Sequence, residues 1–288
     1  MRIALGTAQF GMKYGITNKS VPQSLGDIEK ILNLSKASKI NTIDTAIAYG
    51  KSESLLGKLN LDNFKIITKL PKIPSSINNI EKWVFENLEG SMERLNLKNI
   101  EGLLLHYPED LNGENGSKLF ESLTNLKKRK LVKKIGISIY SPSELENLLN
   151  NFSFDIIQSP FSIFDRRIKE SGWLKKLKEQ SIEVHTRSCF LQGLLLMNIN
   201  DIDHKFFRWN DLFKKFHSWA DSNNLNLLDI CLSFPLSHNQ IDRVVVGVDD
   251  INQLNQILQS NNVFDIHKYP DIFSKDEMLI NPSNWEDL

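Results

Sequence analysis

The chain has 288 residues, 41% hydrophobic and 24% charged, which is enough apolar surface for a packed core and argues against disorder. Its 35 basic and 35 acidic residues balance, which argues against nucleic acid or an anionic membrane as a main partner. With two cysteines, no signal peptide and no apolar run long enough to span a membrane, the sequence predicts a cytoplasmic protein.

Eight short apolar runs recur along the chain and alternate with amphipathic, helix-like segments. The strand-like runs cover residues 2–7, 40–46, 64–70, 100–106, 132–138, 154–160, 182–188 and 241–247. The helix-like segments cover residues 24–38, 77–95, 116–129, 141–151, 165–179, 209–223, 225–235 and 250–258. Strict alternation predicts an α/β fold with parallel strands. Eight units favour a (β/α)8 TIM barrel over an open doubly wound sheet, which the pattern leaves possible.

No linker, repeat or low-complexity segment divides the sequence, so we expect residues 1–288 to form a single domain. The stretch 189–224 is longer than a simple loop with a helix, and it is predicted to extend over one mouth of the barrel. The tail 259–288 lacks strong periodicity and is predicted to cover the barrel or its active site.

Polar side chains stand at the ends of neighbouring predicted strands. Asp44 ends the second strand, Lys69 lies near the end of the third, and His106 ends the fourth. Tyr49 precedes the apparent helix start after the second strand. Each residue alone has an ordinary structural role, but the carboxyl ends of barrel strands converge on one mouth, where active sites are built. The combination therefore favours a site at that mouth.

These residue types together make a positioned proton donor. We expect the ammonium of Lys69 to lower the pKa of Tyr49, which is near 10 for free tyrosine, and Asp44 to keep Lys69 charged. His106 would donate a hydrogen bond to a substrate oxygen. Such a donor suits a carbonyl that becomes an alkoxide, which requires a hydride source and implies a nicotinamide cofactor.

No metal is predicted, because the sequence contains neither an HxH nor an HExxH pair. Apart from His106, the histidines are dispersed: one lies in the seventh strand, and the others are predicted at the surface, namely His204, His217, His238 and His267.

The motifs, taken in chain order, resemble the aldo-keto reductase family, in its bacterial branch. The most specific match is D-T-A-x-x-Y-G-x-S-E, at residues 44–53. Further matches are GTAQFG (6–11), ITKL (67–70), GLLLHYP (102–108), IGIS (135–138) and VVVGVDDINQL (244–254). The family is a (β/α)8 barrel that binds NADPH, or less often NADH, across its C-terminal mouth and reduces aldehydes and ketones. The resemblance implies a catalytic tetrad, with Tyr49 as general acid: Asp44, Tyr49, Lys69 and His106.

The resemblance also implies contacts to the cofactor. Ser138 and Gln158 would hold the nicotinamide carboxamide, and the backbone at Gly6, Thr7 and Ala8 would approach the cofactor closely.

The segment from Gly247 to Gln253 would meet the adenosine phosphate near a helix start, where backbone N–H groups favour anions. The expected cofactor is NADPH, with NADH possible. Gln253 stands where the family often has an arginine for the 2′-phosphate, and Asp249 and Asp250 disfavour a phosphate.

Arg187 stands where the family often has a tyrosine stacked on the nicotinamide. A planar guanidinium can stack there, and it would then disfavour the positively charged oxidised ring. Two alternatives stay open: Arg187 reaches an anionic substrate, or Phe190 supplies the stack. The stretch TRSCFLQGLLLM (186–197) is similar to a branch of the family found beside sugar and surface-polysaccharide genes, which points to a sugar-like substrate.

Three functions are compatible with the sequence. The leading one is a reductase of a small carbonyl substrate. The second is a non-catalytic, cofactor-binding regulatory subunit of the kind that docks on a membrane channel. The third is a lyase or isomerase that uses Lys69 as a Schiff base, which would leave Tyr49 and His106 unexplained. The sequence does not indicate the oligomeric state.

Overall fold

Eight parallel strands close into a barrel in their order along the chain. The computed structural model describes residues 1–16, 23–260 and 269–288. The strands are β1 Ile3–Gly6, β2 Thr42–Asp44, β3 Lys65–Leu70, β4 Ile100–Leu105, β5 Val132–Ser138, β6 Ile156–Pro160, β7 Glu183–Arg187 and β8 Arg243–Gly247. Parallel pairing of β8 with β1 closes the sheet. The predicted (β/α)8 barrel is therefore confirmed, and the open sheet is excluded.

Helices connect successive strands. They are α1 Ala8–Gly11, α2 Leu25–Ala37, α3 Ser52–Leu56, α4 Ile80–Leu95, α5 Gly116–Lys128, α6 Glu144–Asn151, α7 Arg167–Glu170, α8 Trp173–Glu179, α9 Asn210–Ser222, α10 Leu227–Leu236, α11 Ile251–Gln259 and α12 Glu277–Ile280. Short 3-10 helices lie at Pro108–Asn112, Leu191–Leu196, Ile199–Asp201, His204–Trp209 and Pro282–Asp287. The helix predicted over 165–179 is two helices, because Gly172 adopts a φ of +79°, which a continuing helix does not permit.

Side-chain caps fix where several helices begin. Ser24 before α2, Asn79 before α4 and Asp250 before α11 each accept a hydrogen bond from the backbone amide three residues later. Such a bond satisfies one of the amides that a helix start leaves without an intrahelical partner. These helices therefore begin at the positions where the sequence supplies a capping side chain.

The interior of the barrel is a small apolar layer, separate from the larger core. Ile67 on β3, Leu104 on β4 and Ile156 on β6 form it. Side chains two residues apart on a strand share a face. Lys69 and Gln158 therefore follow Ile67 and Ile156 on the inner face, one step nearer the carboxyl end. The polar residues of the candidate site thus lie directly above this apolar layer.

The described part of the tail packs on loops that follow β6 and β7. The Ser274 amide donates to the Phe164 carbonyl at 2.9 Å, and Arg208 pairs with Asp276 at 2.8 Å. Residues 261–268 of the predicted tail lie outside the described residues. The single-domain organisation stays a prediction.

In the three described stretches of the chain, no helix has the length and apolar character to cross a membrane.

One surface prediction is wrong: His238 is 3% exposed. Its ring lies between Phe161 and Phe234, at centroid distances of 4.9 and 5.1 Å. The prediction failed because the neighbouring residues in the sequence are polar, whereas the His238 ring is held in the core by a hydrogen bond of 2.8 Å from Nδ1 to the Phe234 carbonyl. His267 lies in a part of the chain that the structure does not describe.

Candidate active site

The four residues of the predicted tetrad lie together at the carboxyl ends of β2, β3 and β4. The Lys69 ammonium donates to Asp44 Oδ1 at 2.5 Å and to the Thr45 carbonyl at 2.9 Å. It lies 5.3 Å from the ring centroid of Tyr49. The rings of Tyr49 and His106 meet edge to face, with centroids 5.9 Å apart. A phenol, an ammonium, a carboxylate and an imidazole therefore share one mouth of the barrel.

A tight turn between β2 and α3 holds Tyr49. The Tyr49 amide donates to the Ala46 carbonyl at 3.0 Å, and the Ser52 amide donates to the Tyr49 carbonyl at 3.0 Å. Gly50 has a φ of +56°, in the left-handed region that favours glycine. A Cβ at Gly11 would lie 2.0 Å from the Tyr49 carbonyl oxygen, so only glycine allows this approach. Contacts to both the amide and the carbonyl of Tyr49 thus fix the backbone position from which the phenol projects.

A buried chain of hydrogen bonds lies behind Asp44. Gln158 Nε2 donates to Asp44 Oδ2 at 2.7 Å, and Ser138 Oγ donates to Gln158 Oε1 at 3.2 Å. Both carboxylate oxygens of Asp44 therefore have protein partners, and so do both polar atoms of the Gln158 amide. The sequence predicted Ser138 and Gln158 as carboxamide contacts, and their link to Asp44 was not predicted.

The electrostatics of the phenol differ from the prediction. Burial raises the pKa of Tyr49 well above its usual 10, and the nearby charge of Asp44 raises it further. Burial also lowers the pKa of Lys69, against the opposing attraction of Asp44. The net shift of the Tyr49 pKa is therefore upward, and the contribution expected from Lys69 stays a prediction. The physical reason is that Asp44 balances the ammonium, while burial penalises the phenolate.

His106 is held neutral. Burial lowers its pKa to about 3, and the positive charges of Lys69 and Arg187 contribute to that shift. Its Nδ1 is buried and has no hydrogen-bond partner among the residues described. A neutral imidazole has one N–H donor and one acceptor nitrogen. Nδ1 of His106 is therefore an unsatisfied polar atom enclosed by protein.

A groove of about 1180 Å³, open to solvent, runs from Asp44 and Tyr49 across the ends of β1 and β8. Most of the predicted cofactor contacts line it, namely Gly6, Thr7, Ala8, Arg187, Gly247 and Gln253. The loop after β7 forms one wall, in which Gln192 and Gly193 have φ of 52° and 95°. Tyr14, a residue that the sequence suggested for the mouth, also lines the groove. The sequence missed Gln9 and Gln192 as lining residues, because no spacing pattern marks them.

Arg187 is fixed by contacts with the loop after β5. Its guanidinium carbon lies 4.8 Å from the ring centroid of Tyr140. Nη2 donates to the Ile139 carbonyl at 3.1 Å, and Nη1 donates to Ser188 Oγ at 3.3 Å. The role predicted for Arg187 against the nicotinamide stays a prediction, and Tyr140 as its support was not predicted.

The far end of the groove carries little positive charge. Gln253 Oε1 accepts from the Asp249 amide at 2.8 Å, so the glutamine turns back on its own helix start. Burial raises the pKa of Asp249. Among the described residues, Arg187 is the only lysine or arginine that lines the groove. Within the same residues, no group of three or more His, Cys, Asp or Glu is arranged to hold a metal.

Comparison with known proteins gives the chain a family. The model of the Aldo/keto reductase family matches residues 2–277. The uncharacterized oxidoreductase YqkF of Bacillus subtilis is 24% identical over 243 residues, which are 77% of this chain and 78% of that protein. Aldo-keto reductase YhdN of the same organism is 27% identical over 207 residues, which are 67% of this chain and 60% of that protein.

Solved structures agree on the fold. The holo form of the aldo-keto reductase AKR11C1 from Bacillus halodurans aligns with a TM-score of 0.75 at 18% identity, over 93% of this chain and 89% of that one. Its apo form aligns with a TM-score of 0.65 at 21% identity, over 84% and 82% of the two chains. Because the family model spans nearly the whole sequence, this chain belongs to the aldo/keto reductase family, whose members are oxidoreductases of small carbonyl compounds.

Proposed function

We propose that the protein reduces an aldehyde or ketone to the alcohol, with a reduced nicotinamide cofactor as hydride source and Tyr49 as proton donor. The observation that carries the proposal is a phenol packed between a buried Lys69–Asp44 ion pair and the imidazole of His106. Of these residues, Asp44 and Tyr49 line one end of a long groove. Cytoplasmic location and a sugar-like substrate are part of the same proposal.

The groove fits an extended dinucleotide. Gly6 and Gly247 line the groove at the ends of β1 and β8, and a Cβ at Gly247 would lie 2.4 Å from Gln9 Nε2. The start of α11 offers backbone amides to a phosphate. Ser138 Oγ, which donates to Gln158, keeps lone pairs that can accept from a carboxamide. When bound there, the reduced nicotinamide supplies a hydride to the carbonyl carbon.

The side chains then handle the proton. His106, neutral because its pKa is about 3, donates one hydrogen bond to the carbonyl oxygen and orients it. The oxygen gains negative charge and takes the proton of the Tyr49 hydroxyl. The tyrosinate that results faces the ammonium of Lys69, which stabilises it electrostatically. Burial thus keeps the phenol protonated until the substrate oxygen takes the proton. The Lys69–Asp44 pair acts afterwards, by stabilising the tyrosinate.

The geometry does not favour the two alternative functions. Lys69 is fully buried and donates to Asp44 and Thr45, a poor arrangement for attack on a substrate carbonyl. A regulatory subunit would not require the neutral state of Tyr49 and His106. Neither alternative has an observation of its own in its favour.

A cofactor titration tests the proposal. NADPH and NADH should both quench tryptophan fluorescence, with dissociation constants within about tenfold of each other, since no lysine or arginine among the described residues lines the far end of the groove. Gln253→Arg should shift the preference toward NADPH. Addition of 4-nitrobenzaldehyde should cause oxidation of the bound cofactor. Tight cofactor binding without turnover of any carbonyl compound would favour the regulatory subunit instead.

A further inference from the structure

Arg187 is a half-buried cation without an acidic partner in the part of the chain that the structure describes. Its two hydrogen bonds go to the Ile139 carbonyl and the Ser188 hydroxyl. Glu144 is near enough to feel its charge, but that carboxylate accepts the backbone amides of Tyr140 and Ser141 and forms no ion pair with Arg187. The guanidinium therefore keeps its full charge at the edge of the groove.

The groups around the mouth leave this charge unbalanced. Lys69 and Asp44 neutralise each other at 2.5 Å. Tyr49 is a neutral phenol and His106 a neutral imidazole, because of their shifted pKa values. Among the described groups at the mouth, Arg187 is therefore a cation with no ion-pair partner, in a partly buried place where charges interact more strongly than in water. A bound anion would complete the charge balance.

The guanidinium has donors left to bind such an anion. Its carbon lies 4.8 Å from the ring centroid of Tyr140, so the aromatic ring supports the side chain. A guanidinium has five N–H donors, so donors remain after the bonds to Ile139 and Ser188. Those donors match a carboxylate geometrically, and the fixed ring support reduces the entropy lost on binding.

We propose that Arg187 binds a carboxylate carried by the carbonyl substrate, so that the substrates are anionic aldehydes or ketones, a class that includes sugar acids. This inference rests on the proposed reductase function. The cofactor phosphates are a second source of anion, and the experiments below separate the two sources.

The first experiment compares 4-carboxybenzaldehyde with its neutral analogue 4-formylbenzamide. For the wild type, kcat/KM should favour the carboxylate. Arg187→Gln should lower the carboxylate-to-amide ratio of kcat/KM about 10- to 100-fold, mainly through KM. Arg129→Gln is the matched control, since its guanidinium also lies 4.8 Å from an aromatic centroid, that of Phe85, outside the groove. That variant should keep the wild-type ratio, and an unchanged ratio in Arg187→Gln overturns the proposal.

The second experiment measures binding without turnover. In calorimetry, benzoate should bind the wild type more tightly than benzamide does, and Arg187→Gln should remove that difference. Cofactor affinity of Arg187→Gln is measured in parallel. If Arg187→Gln weakens cofactor binding and lowers kcat/KM equally for both aldehydes, Arg187 binds a cofactor phosphate and the proposal is overturned. If no carbonyl is reduced while benzoate binding still requires Arg187, the anion site stands and the reductase function fails.

Discussion

Lys69 and Asp44 form an ion pair whose side chains are 0% and 5% exposed, at the centre of the candidate site. Two buried charges are tolerated only when they are paired and hydrogen-bonded, because desolvation of either one alone is costly. Gln158 and the Thr45 carbonyl supply the additional hydrogen bonds. The pair is therefore expected to matter for stability as well as for catalysis.

Lys69→Met should lower the free energy of unfolding by about 3 kcal/mol, because it leaves the Asp44 carboxylate buried without its cation. The double variant Lys69→Met with Asp44→Asn should recover much of that loss and stay inactive, since the ammonium is absent. Urea unfolding and aldehyde turnover at pH 7 measure the two effects. A double variant as unstable as the sum of the single variants would contradict this account.

Residue identities at the site were predictable from the sequence, whereas their environments were not. Asp44, Lys69 and His106 stand out as polar residues at the ends of apolar runs. The bond from Gln158 to Asp44 joins residues 114 positions apart, which no local pattern reports. The raised pKa of Tyr49 depends on the depth of burial, a property of the folded mouth that the sequence does not reveal.

At the scale of elements, a buried carboxylate joins α3 to its neighbours. Glu53 on α3 accepts from Thr68 Oγ1 on β3 and from Ser91 Oγ on α4, each at 2.6 Å. It also accepts from Arg94 Nε at 2.9 Å. Since α3 follows the Tyr49 turn, these bonds anchor the turn to the strand that carries Lys69.

Glu53→Ala should lower the free energy of unfolding by about 3 kcal/mol, because it leaves two hydroxyls and a guanidinium without their acceptor. Glu86→Ala on α4 is the control, since Glu86 is 59% exposed and lies 3.7 Å from Lys82. It should change stability by about 0.5 kcal/mol or less. Thermal and urea unfolding compare the two, and equal stability of both variants would refute the anchoring role of Glu53.

The order and type of elements followed from the sequence, and their details did not. The strand-like apolar runs predicted every strand of the barrel, although β2 spans only Thr42–Asp44 instead of 40–46. The break at Gly172 requires a left-handed residue that a periodic pattern does not reveal. The wall after β7 uses left-handed backbone at Gln192, where glycine would be the expected residue. Such loops depend on tertiary contacts more than on propensity.

At the scale of the whole molecule, closure of the barrel brings residues from both ends of the chain to one mouth. Gly6 on β1 lies opposite Gly247 on β8 and Asp44 on β2. The alternation of strands and helices indicated parallel strands, but closure itself became certain only from the pairing of β8 with β1. The groove depends on this closure, since its walls come from the first and last strands.

Two histidines at opposite ends of the barrel, the buried His238 and the half-buried His106, make stability depend on pH. Burial lowers the pKa of His238 to about 4 and that of His106 to about 3. The unfolded chain binds these protons near pH 6.5, so it holds more protons than the folded chain below that pH. Stability should therefore be fully present above about pH 6.5 and fall as the pH drops toward 4.

His238→Gln should flatten that fall by up to about 1.4 kcal/mol per pH unit, the slope that one proton contributes. Urea unfolding at pH 7, 6 and 5 measures the slope. The exposed His204 supplies the control, as His204→Gln should keep the wild-type slope. The same slope in His238→Gln as in the wild type would show that its burial does not control acid stability.

The most direct test of the central claim is the rate of cofactor oxidation with 4-nitrobenzaldehyde in Tyr49→Phe, with cofactor affinity measured on the same sample. In the proposed reaction the Tyr49 hydroxyl gives its proton to the substrate oxygen, while the Tyr49 ring packs against His106. We therefore predict a loss of about 10³-fold or more in kcat, with a change in cofactor dissociation constant of less than about threefold. Retention of most of the wild-type turnover by Tyr49→Phe would contradict its role as the proton donor.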